Sequence, residues 1–121
     1  MKFEHAFYKT KDGSLDIEFM LIDLGDDLGW RAYVMTEINY KQHSRFRSNN
    51  YTDTHLYLDN NQHRYIDKTK DFPYVCRVDP IYDIEVMRDV AAAWCEITAY
   101  YIKHGGDFAS IQRLLQKEGV I

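Results

Sequence analysis

The chain has 121 residues, of which 45% are hydrophobic and 28% are charged, and its formal net charge is -4. This length predicts one domain spanning residues 1–121 with a core of its own, and the composition excludes a disordered chain. The negative charge argues against general, charge-driven binding to nucleic acid or to anionic lipid.

No stretch of the chain approaches the ~18 uncharged apolar residues that a membrane span needs, and the first residues lack the apolar core of a signal peptide. The two cysteines, Cys76 and Cys95, fall in different predicted elements with apolar neighbours. Cysteines placed in this way indicate small buried side chains in a reducing compartment more readily than a disulfide framework. The sequence therefore predicts a cytoplasmic protein that makes no membrane contact.

Three extended segments open the chain. Residues 2–8 and 15–22 alternate in polarity around Asp12-Gly13, a dipeptide that suits a tight connection, and this predicts a hairpin. Residues 30–38 form a third run with apolar side chains on both faces. We expect this run to be an antiparallel strand in the centre of the sheet, covered on both sides.

Later segments add further strands to the predicted sheet. Residues 54–59 and 63–67 flank Asn60-Asn61 and predict a second hairpin, and residues 74–78 predict a last strand before Asp79-Pro80. The result is an antiparallel sheet of five or six strands.

The longest apolar pattern runs from Asp83 to His104 and predicts one buried helix, ~33 Å long at ~1.5 Å per residue. Its narrow polar strip includes Glu96, which we expect to be exposed to solvent. Gly105-Gly106 ends the helix, and residues 108–119 predict a short second helix. Strands come first and helices last, so the fold class is α+β, with both helices packed on one face of the sheet.

No known catalytic motif is present: the chain lacks a GxSxG elbow, an HExxH pair, a glycine-rich phosphate loop and a CxxC pair. The five histidines show no recurrent ligand spacing. We therefore predict no catalytic residue, no metal site and no cofactor. An enzyme of unrecognised type stays open as an alternative, and a pocket that collects Glu, His and Tyr side chains would favour it.

Residues 39–53 break the apolar pattern and carry cations interleaved with aromatic rings. A segment this long without periodicity is typical of a functional loop or a mobile one. Cations attract phosphate or carboxylate, and aromatic faces stack on bases or fill pockets of a partner. The candidate binding residues are Tyr40, Lys41, His43, Arg45, Phe46, Arg47 and Tyr51.

At WRAYVMTEINYK (30–41), THLYLD (54–59) and VAAAWCEITAYYIKHG (90–105), the chain resembles small accessory proteins carried by phages and conjugative elements of Gram-positive bacteria. The resemblance implies a cytoplasmic protein that binds or modulates another molecule. It brings no activity, cofactor or site residue.

Three functional hypotheses follow from the sequence. The first is a small binding or regulatory protein that contacts another protein through residues 39–53, with Arg45, Phe46 and Arg47 as anchors. The second is a nucleic-acid-binding accessory protein that uses the same residues, and the third is the enzyme of unrecognised type. The many tyrosines suit either a homodimer contact or a monomer with a thick core.

Overall fold

A computed structural model describes residues 2–25, 27–40, 54–58, 69 and 72–121. Within these ranges a five-stranded antiparallel sheet, in the strand order β1-β2-β3-β5-β4, precedes two helices. The predicted α+β class is confirmed. The elements are β1 Phe3–Lys9, β2 Asp16–Asp23, β3 Trp30–Val34, β4 Leu56–Tyr57, β5 Tyr74–Val75, α1 Ile84–His104 and α2 Phe108–Lys117.

The hairpin predicted around Asp12-Gly13 is confirmed. Gly13 adopts a φ of 75°, and the backbone N–H of Thr10 donates to the carbonyl oxygen of Leu15 at 2.9 Å. The Asp12 carboxylate accepts a hydrogen bond from the backbone N–H of Ser14 at 2.9 Å. A residue that tolerates positive φ and a short acceptor side chain together make the turn between β1 and β2 tight.

Strand β3 lies between β2 and β5, and the sheet around it is buried on both faces. Ala32 and Val34 belong to the core under the helices, while Tyr33 belongs to a second cluster on the opposite face. The expectation of a central strand covered on both sides is therefore confirmed. The other fully or nearly buried members of the second cluster are Met20, Ile22 and Leu24.

Strands β4 and β5 are shorter than the predicted runs, and they pair with each other through Leu56 and Val75. The chain leaves the sheet after Cys76, so that Val78 is 98% exposed. The guanidinium of Arg77 donates to the carbonyl oxygen of Leu28, which draws the chain towards the β2–β3 connection. The predicted partner strand at 63–67 lies outside the described residues.

Helix α1 has the predicted length and position. It begins after Asp83, whose side chain accepts a hydrogen bond from the backbone N–H of Glu85 at 2.9 Å. It ends at Gly105, which adopts a φ of 69° and donates its backbone N–H to the carbonyl oxygen of Tyr101. A polar N-cap and a glycine at the carboxyl end satisfy backbone groups that a helix leaves unpaired.

The expectation that Glu96 is exposed is wrong, because its side chain is only 8% exposed. Its Oε2 accepts a hydrogen bond from the Tyr8 hydroxyl at 2.5 Å and another from the backbone N–H of Lys11 at 3.0 Å. The β1–β2 turn therefore lies against α1 and supplies donors to the carboxylate. Helical periodicity cannot reveal donors that come from the other end of the chain.

Helix α1 runs along β1 in the same direction. Near its start the Arg88 guanidinium donates to Glu4, and two turns later Glu96 meets Tyr8. Within the described ranges, neither helix combines the length and the apolar character that crossing a membrane requires.

Candidate functional site

A cleft of about 290 Å³ lies between α1, α2 and the β4–β5 edge of the sheet. We refer to it as the α1–α2 cleft. Its apolar walls come from all three elements, and its polar groups are few, which is the usual composition of a binding pocket. The apolar side chains are Val75, Val86, Val90, Ala93, Trp94, Ile97, Phe108 and Ile121, and the polar ones are His55, Cys76, Asp89, Gln112 and Gln116.

The floor of the cleft is held in place by Trp94. Its indole Nε1–H donates to the backbone carbonyl oxygen of Thr54 at 2.9 Å, and its ring meets Phe19 edge-on with the centroids 6.2 Å apart. A buried indole that has both a polar partner and an aromatic neighbour is fixed in orientation. The cleft therefore has a preformed floor.

The backbone of His55 is unusual, with a φ of 56°. Non-glycine residues in this left-handed region cost of order 1–3 kcal/mol and persist only where their surroundings hold them. Here the carbonyl oxygen of His55 accepts the backbone N–H of Cys76 at 2.8 Å, and the imidazole lies 4.8 Å from the ring of Phe108. These contacts direct His55 into the α1–α2 cleft.

The imidazole of His55 is mainly in its neutral form at pH 7. Burial lowers the pKa of His55 below its usual value of 6.5, although the charge of Asp107 opposes this effect. A neutral imidazole has one nitrogen that donates and one that accepts a hydrogen bond. Together with the side-chain amides of Gln112 and Gln116, it gives the cleft both kinds of hydrogen-bonding group.

Charge at the α1–α2 cleft is negative. Asp89 is the only carboxylate among the described residues that line it, and neither Lys nor Arg is found in that lining. Asp107, which is exposed at the start of α2, adds a second negative charge near His55. An apolar surface with an acidic border favours an apolar group that carries a cation beside it.

The two cysteines differ in environment, and both are free thiols. Cys95 is fully buried in α1, and burial raises its pKa above the ordinary value for a thiol. Cys76 is partly exposed and lines the cleft. Cys76 is therefore the thiol within reach of a molecule in the cleft.

Of the residues predicted from sequence to bind a partner, the structure describes Tyr40 alone. Tyr40 is 2% exposed and belongs to the core, where its ring lies 6.2 Å from that of Tyr101. Lys41, His43, Arg45, Phe46, Arg47 and Tyr51 lie outside the described residues. A binding surface at 39–53 stays a prediction.

The two residues that border segment 41–53 are both fixed to α1. Tyr40 contacts Tyr101, and the carbonyl of Thr54 accepts the indole N–H of Trp94, which is two helical turns away from Tyr101. Tyr101 also meets Phe108, with ring centroids 5.9 Å apart, and Phe108 meets His55. A continuous run of aromatic contacts thus joins Tyr40 to the α1–α2 cleft.

The α1–α2 cleft offers apolar surface and hydrogen-bonding groups. Across the described part of the chain, no group of three or more His, Cys, Asp or Glu side chains could hold a metal ion. The polar groups of the cleft are the carboxylate of Asp89 and the uncharged side chains of His55, Gln112 and Gln116, beside the apolar floor. Sequence reasoning missed the cleft because its walls come from positions as far apart as 55 and 121.

Comparisons with protein families, with curated proteins and with solved structures yield no match for this chain. Function must therefore be inferred from the geometry of the described residues.

Proposed function

We propose that this protein is a binding protein that takes up a segment of a partner protein in the α1–α2 cleft. The observation that carries the proposal is the preformed apolar floor built on Trp94, whose indole is fixed by the hydrogen bond to Thr54. Preformed apolar pockets with a few convergent polar groups are the usual sites of binding.

The size and lining of the cleft favour an amino-acid side chain as the occupant. A volume of about 290 Å³ accommodates one or two large apolar side chains, and buried apolar anchors dominate the energy of protein interfaces. Gln112 and Gln116 lie one helical turn apart on α2, and their amides suit the N–H and C=O groups of a peptide backbone.

The charge around the cleft specifies the partner further. With Asp89 in the lining and a net charge of -4 on the whole chain, the partner segment carries Lys or Arg beside its apolar anchor. An acidic segment would meet charge repulsion at the same place. We therefore assign the cleft to a basic, apolar peptide segment.

The free thiols support a cytoplasmic location for this function. Cys76 and Cys95 are both unpaired, and Cys76 is partly exposed. Partly exposed thiols persist in reducing compartments, whereas secreted domains of this size commonly use cysteines in disulfides.

The experiment uses two synthetic ten-residue peptides with the same central Leu and Phe anchors, one flanked by lysines and the other by glutamates. Binding is followed by the NMR signal of the Trp94 indole N–H, with Trp30 as an internal reference because it does not line the cleft. We expect the lysine peptide to shift the Trp94 signal and to bind at least tenfold more tightly than the glutamate peptide.

Two matched variants locate the contact. Ala93→Phe places a ring inside the cleft and should abolish binding, whereas Ala92→Phe adds the same ring to a partly buried position on α1 that does not line the cleft and should leave binding unchanged. Equal effects of the two variants, or no binding of either peptide to the folded protein at millimolar concentration, would contradict the proposal.

A third variant, Arg45→Ala with Phe46→Ala and Arg47→Ala, tests the surface predicted from sequence. Loss of peptide binding in this variant, with full binding in Ala93→Phe, would move the contact from the cleft to segment 39–53. Salt-sensitive binding of an oligonucleotide, without peptide binding, would favour the nucleic-acid hypothesis instead.

A further inference from the structure

Strand β1 has an open edge. Within the described ranges it pairs with β2 alone, along all seven residues Phe3–Lys9, and it is the outermost strand of the sheet. Long edge strands with unpaired backbone groups are templates for pairing with another chain. The open edge of β1 contains neither proline nor a bulge that would prevent such pairing.

The hydrogen bonds of the hairpin decide which backbone groups point outward. The carbonyl oxygen of Lys2 accepts the N–H of Asp23, and the N–H of Thr10 donates to Leu15, both at 2.9 Å. Because bonded pairs alternate along an antiparallel ladder, the even-numbered residues of β1 bond to β2. The outward N–H and C=O groups therefore belong to Phe3, His5, Phe7 and Lys9.

The side chains of the same residues form an exposed aromatic stripe. Phe3 and Phe7 are 52% and 70% exposed, and they lie on the sheet face opposite α1. His5 lies between them, with its Nδ1 3.1 Å from Oε2 of Glu18 on β2. Two large exposed phenylalanines on one edge strand indicate a surface that is covered by another molecule.

We propose that the open edge of β1 pairs with the β1 strand of a second copy of this chain. The strands run antiparallel about a two-fold axis at His5, so that the two sheets become one sheet of ten strands. Phe3 of each copy then lies opposite Phe7 of the other, giving two cross-strand aromatic pairs, and His5 lies opposite itself. Such pairs each contribute to the stability of antiparallel sheets.

The same register also determines the contacts on the face of the sheet that carries α1. A groove between β1 and α1 is lined by Ala6, Ala92, the cation of Arg88 and the carboxylates of Glu85 and Asp89, among others. In the proposed pair, Glu4 of the second copy lies opposite Ala6 and therefore beside Arg88, which already binds Glu4 of its own chain. Arg88 attracts this carboxylate, whereas Glu85 and Asp89 of the same groove repel it, so the aromatic pairs, and not the charges, favour this register.

Other registers also keep the backbone groups in phase, and one of them places Ala6 on the axis. It sets Phe3 against Lys9 and His5 against Phe7, and both phenylalanine pairs are lost. Aromatic pairing favours the axis at His5.

The first test is disulfide trapping in a Cys76→Ser background, with Cys95 buried in both variants. His5→Cys places two thiols across a hydrogen-bonded pair with Cα atoms ~5.5 Å apart, which lies within disulfide range. Lys9→Cys is the matched control, because Lys9 is exposed on the same strand outside the phenylalanine pairs and its two thiols would be eight residues out of register. We expect mild oxidation to give a covalent dimer with His5→Cys and not with Lys9→Cys.

The second test is analytical ultracentrifugation of the unmodified chain. We expect a concentration-dependent dimer, with a dissociation constant at least tenfold weaker for Phe7→Lys and unchanged for Val78→Lys, which alters an exposed apolar residue in another part of the fold. Thermal melts confirm that each variant is folded. A monomer at millimolar concentration, a dimer insensitive to Phe7→Lys, or faster trapping at position 9 than at position 5 would overturn the proposal.

Discussion

The hydroxyl of Tyr8 donates a hydrogen bond of 2.5 Å to Oε2 of Glu96, which ties the first strand to the middle of the central helix. The two residues are 88 positions apart in sequence, and the carboxylate is buried. A buried carboxylate needs hydrogen-bond donors, and here Lys11 supplies the second one through its backbone N–H. The contact therefore makes the β1–β2 hairpin and α1 interdependent.

We predict that Tyr8→Phe lowers the free energy of unfolding by about 1–3 kcal/mol, because Glu96 loses one of its two donors and stays buried. Glu96→Gln and the double variant complete a cycle measured by urea unfolding. We expect the two effects to be non-additive by at least ~0.5 kcal/mol, as for residues in direct contact. Additive effects would mean that the two side chains do not interact in solution.

Alkaline pH should reveal the same contact. Burial, followed by the hydrogen bond to Glu96, raises the pKa of Tyr8 to about 12 from an ordinary value of 10.0. A raised folded-state pKa contributes stability that is complete below pH 10 and is lost as the pH rises towards 12. Unfolding measured from pH 9 to 11.5 should show a steeper loss in the unmodified chain than in Tyr8→Phe; equal slopes would contradict this assignment.

We predict that the stability of the fold also decreases below pH 6.5 because of His55. The pKa of His55 is lowered by burial, so the unfolded chain takes up a proton before the folded chain does. The free energy of unfolding should be constant above pH 6.5 and fall below it. His55→Asn keeps a residue that tolerates positive φ and removes the titrating group, so it should flatten the profile between pH 5 and 6.5. A pH profile that this variant leaves unchanged would show that another titrating group causes the pH dependence.

Gly29 is predicted to be intolerant of any side chain. It adopts a φ of 68°, and a Cβ atom would lie 2.4 Å from the carbonyl oxygen of Ile81. Gly29→Ala should therefore lower the free energy of unfolding by ~1–2 kcal/mol for the left-handed backbone, and by a further amount for the clash with Ile81. Gly119→Ala is the control, since its φ is 74° and no atom lies within 4 Å of the added carbon. Thermal unfolding of the two variants separates the backbone strain, which both share, from the clash, which only Gly29→Ala has. Equal destabilisation would show that Ile81 moves away from the added carbon in solution.

We predict that the two thiols react at very different rates with a neutral alkylating reagent. Cys95 is buried and its pKa is raised, so it should react only when the protein unfolds globally. Cys76 is partly exposed and lines the α1–α2 cleft, so it should react in the native state and be protected by the lysine-flanked peptide. Mass spectrometry of the alkylated protein at several times gives both rates. An alkylation rate of Cys76 that the peptide does not lower would argue against occupation of the cleft.

The parts of the fold that were predictable are those set by local patterns. Asp12-Gly13 marked the first hairpin, and the run from Asp83 to His104 defined α1 almost to the residue. The burial of Glu96 was not predictable, because its two hydrogen-bond donors, Tyr8 and Lys11, lie 88 and 85 positions away in the sequence. A polar residue on the surface of a helix is exposed to solvent only when no other segment of the chain covers it.

The candidate site was less predictable than the fold. The interleaved cations and rings after Tyr40 drew attention to residues 39–53, whereas the α1–α2 cleft combines single residues from the strand edge and both helices. The positive φ of His55 is the local feature that distinguishes the site, and although histidine is several-fold enriched in that conformation, only a small minority of histidines adopt it. No pattern in the sequence indicates it.

The position of α1 after all the strands has a consequence for biosynthesis. Phe19, Leu21 and Val34 are buried under this helix, so they stay uncovered on the ribosome until residue 104 has left the exit tunnel. A nascent sheet with one bare apolar face is a substrate for chaperones and for aggregation.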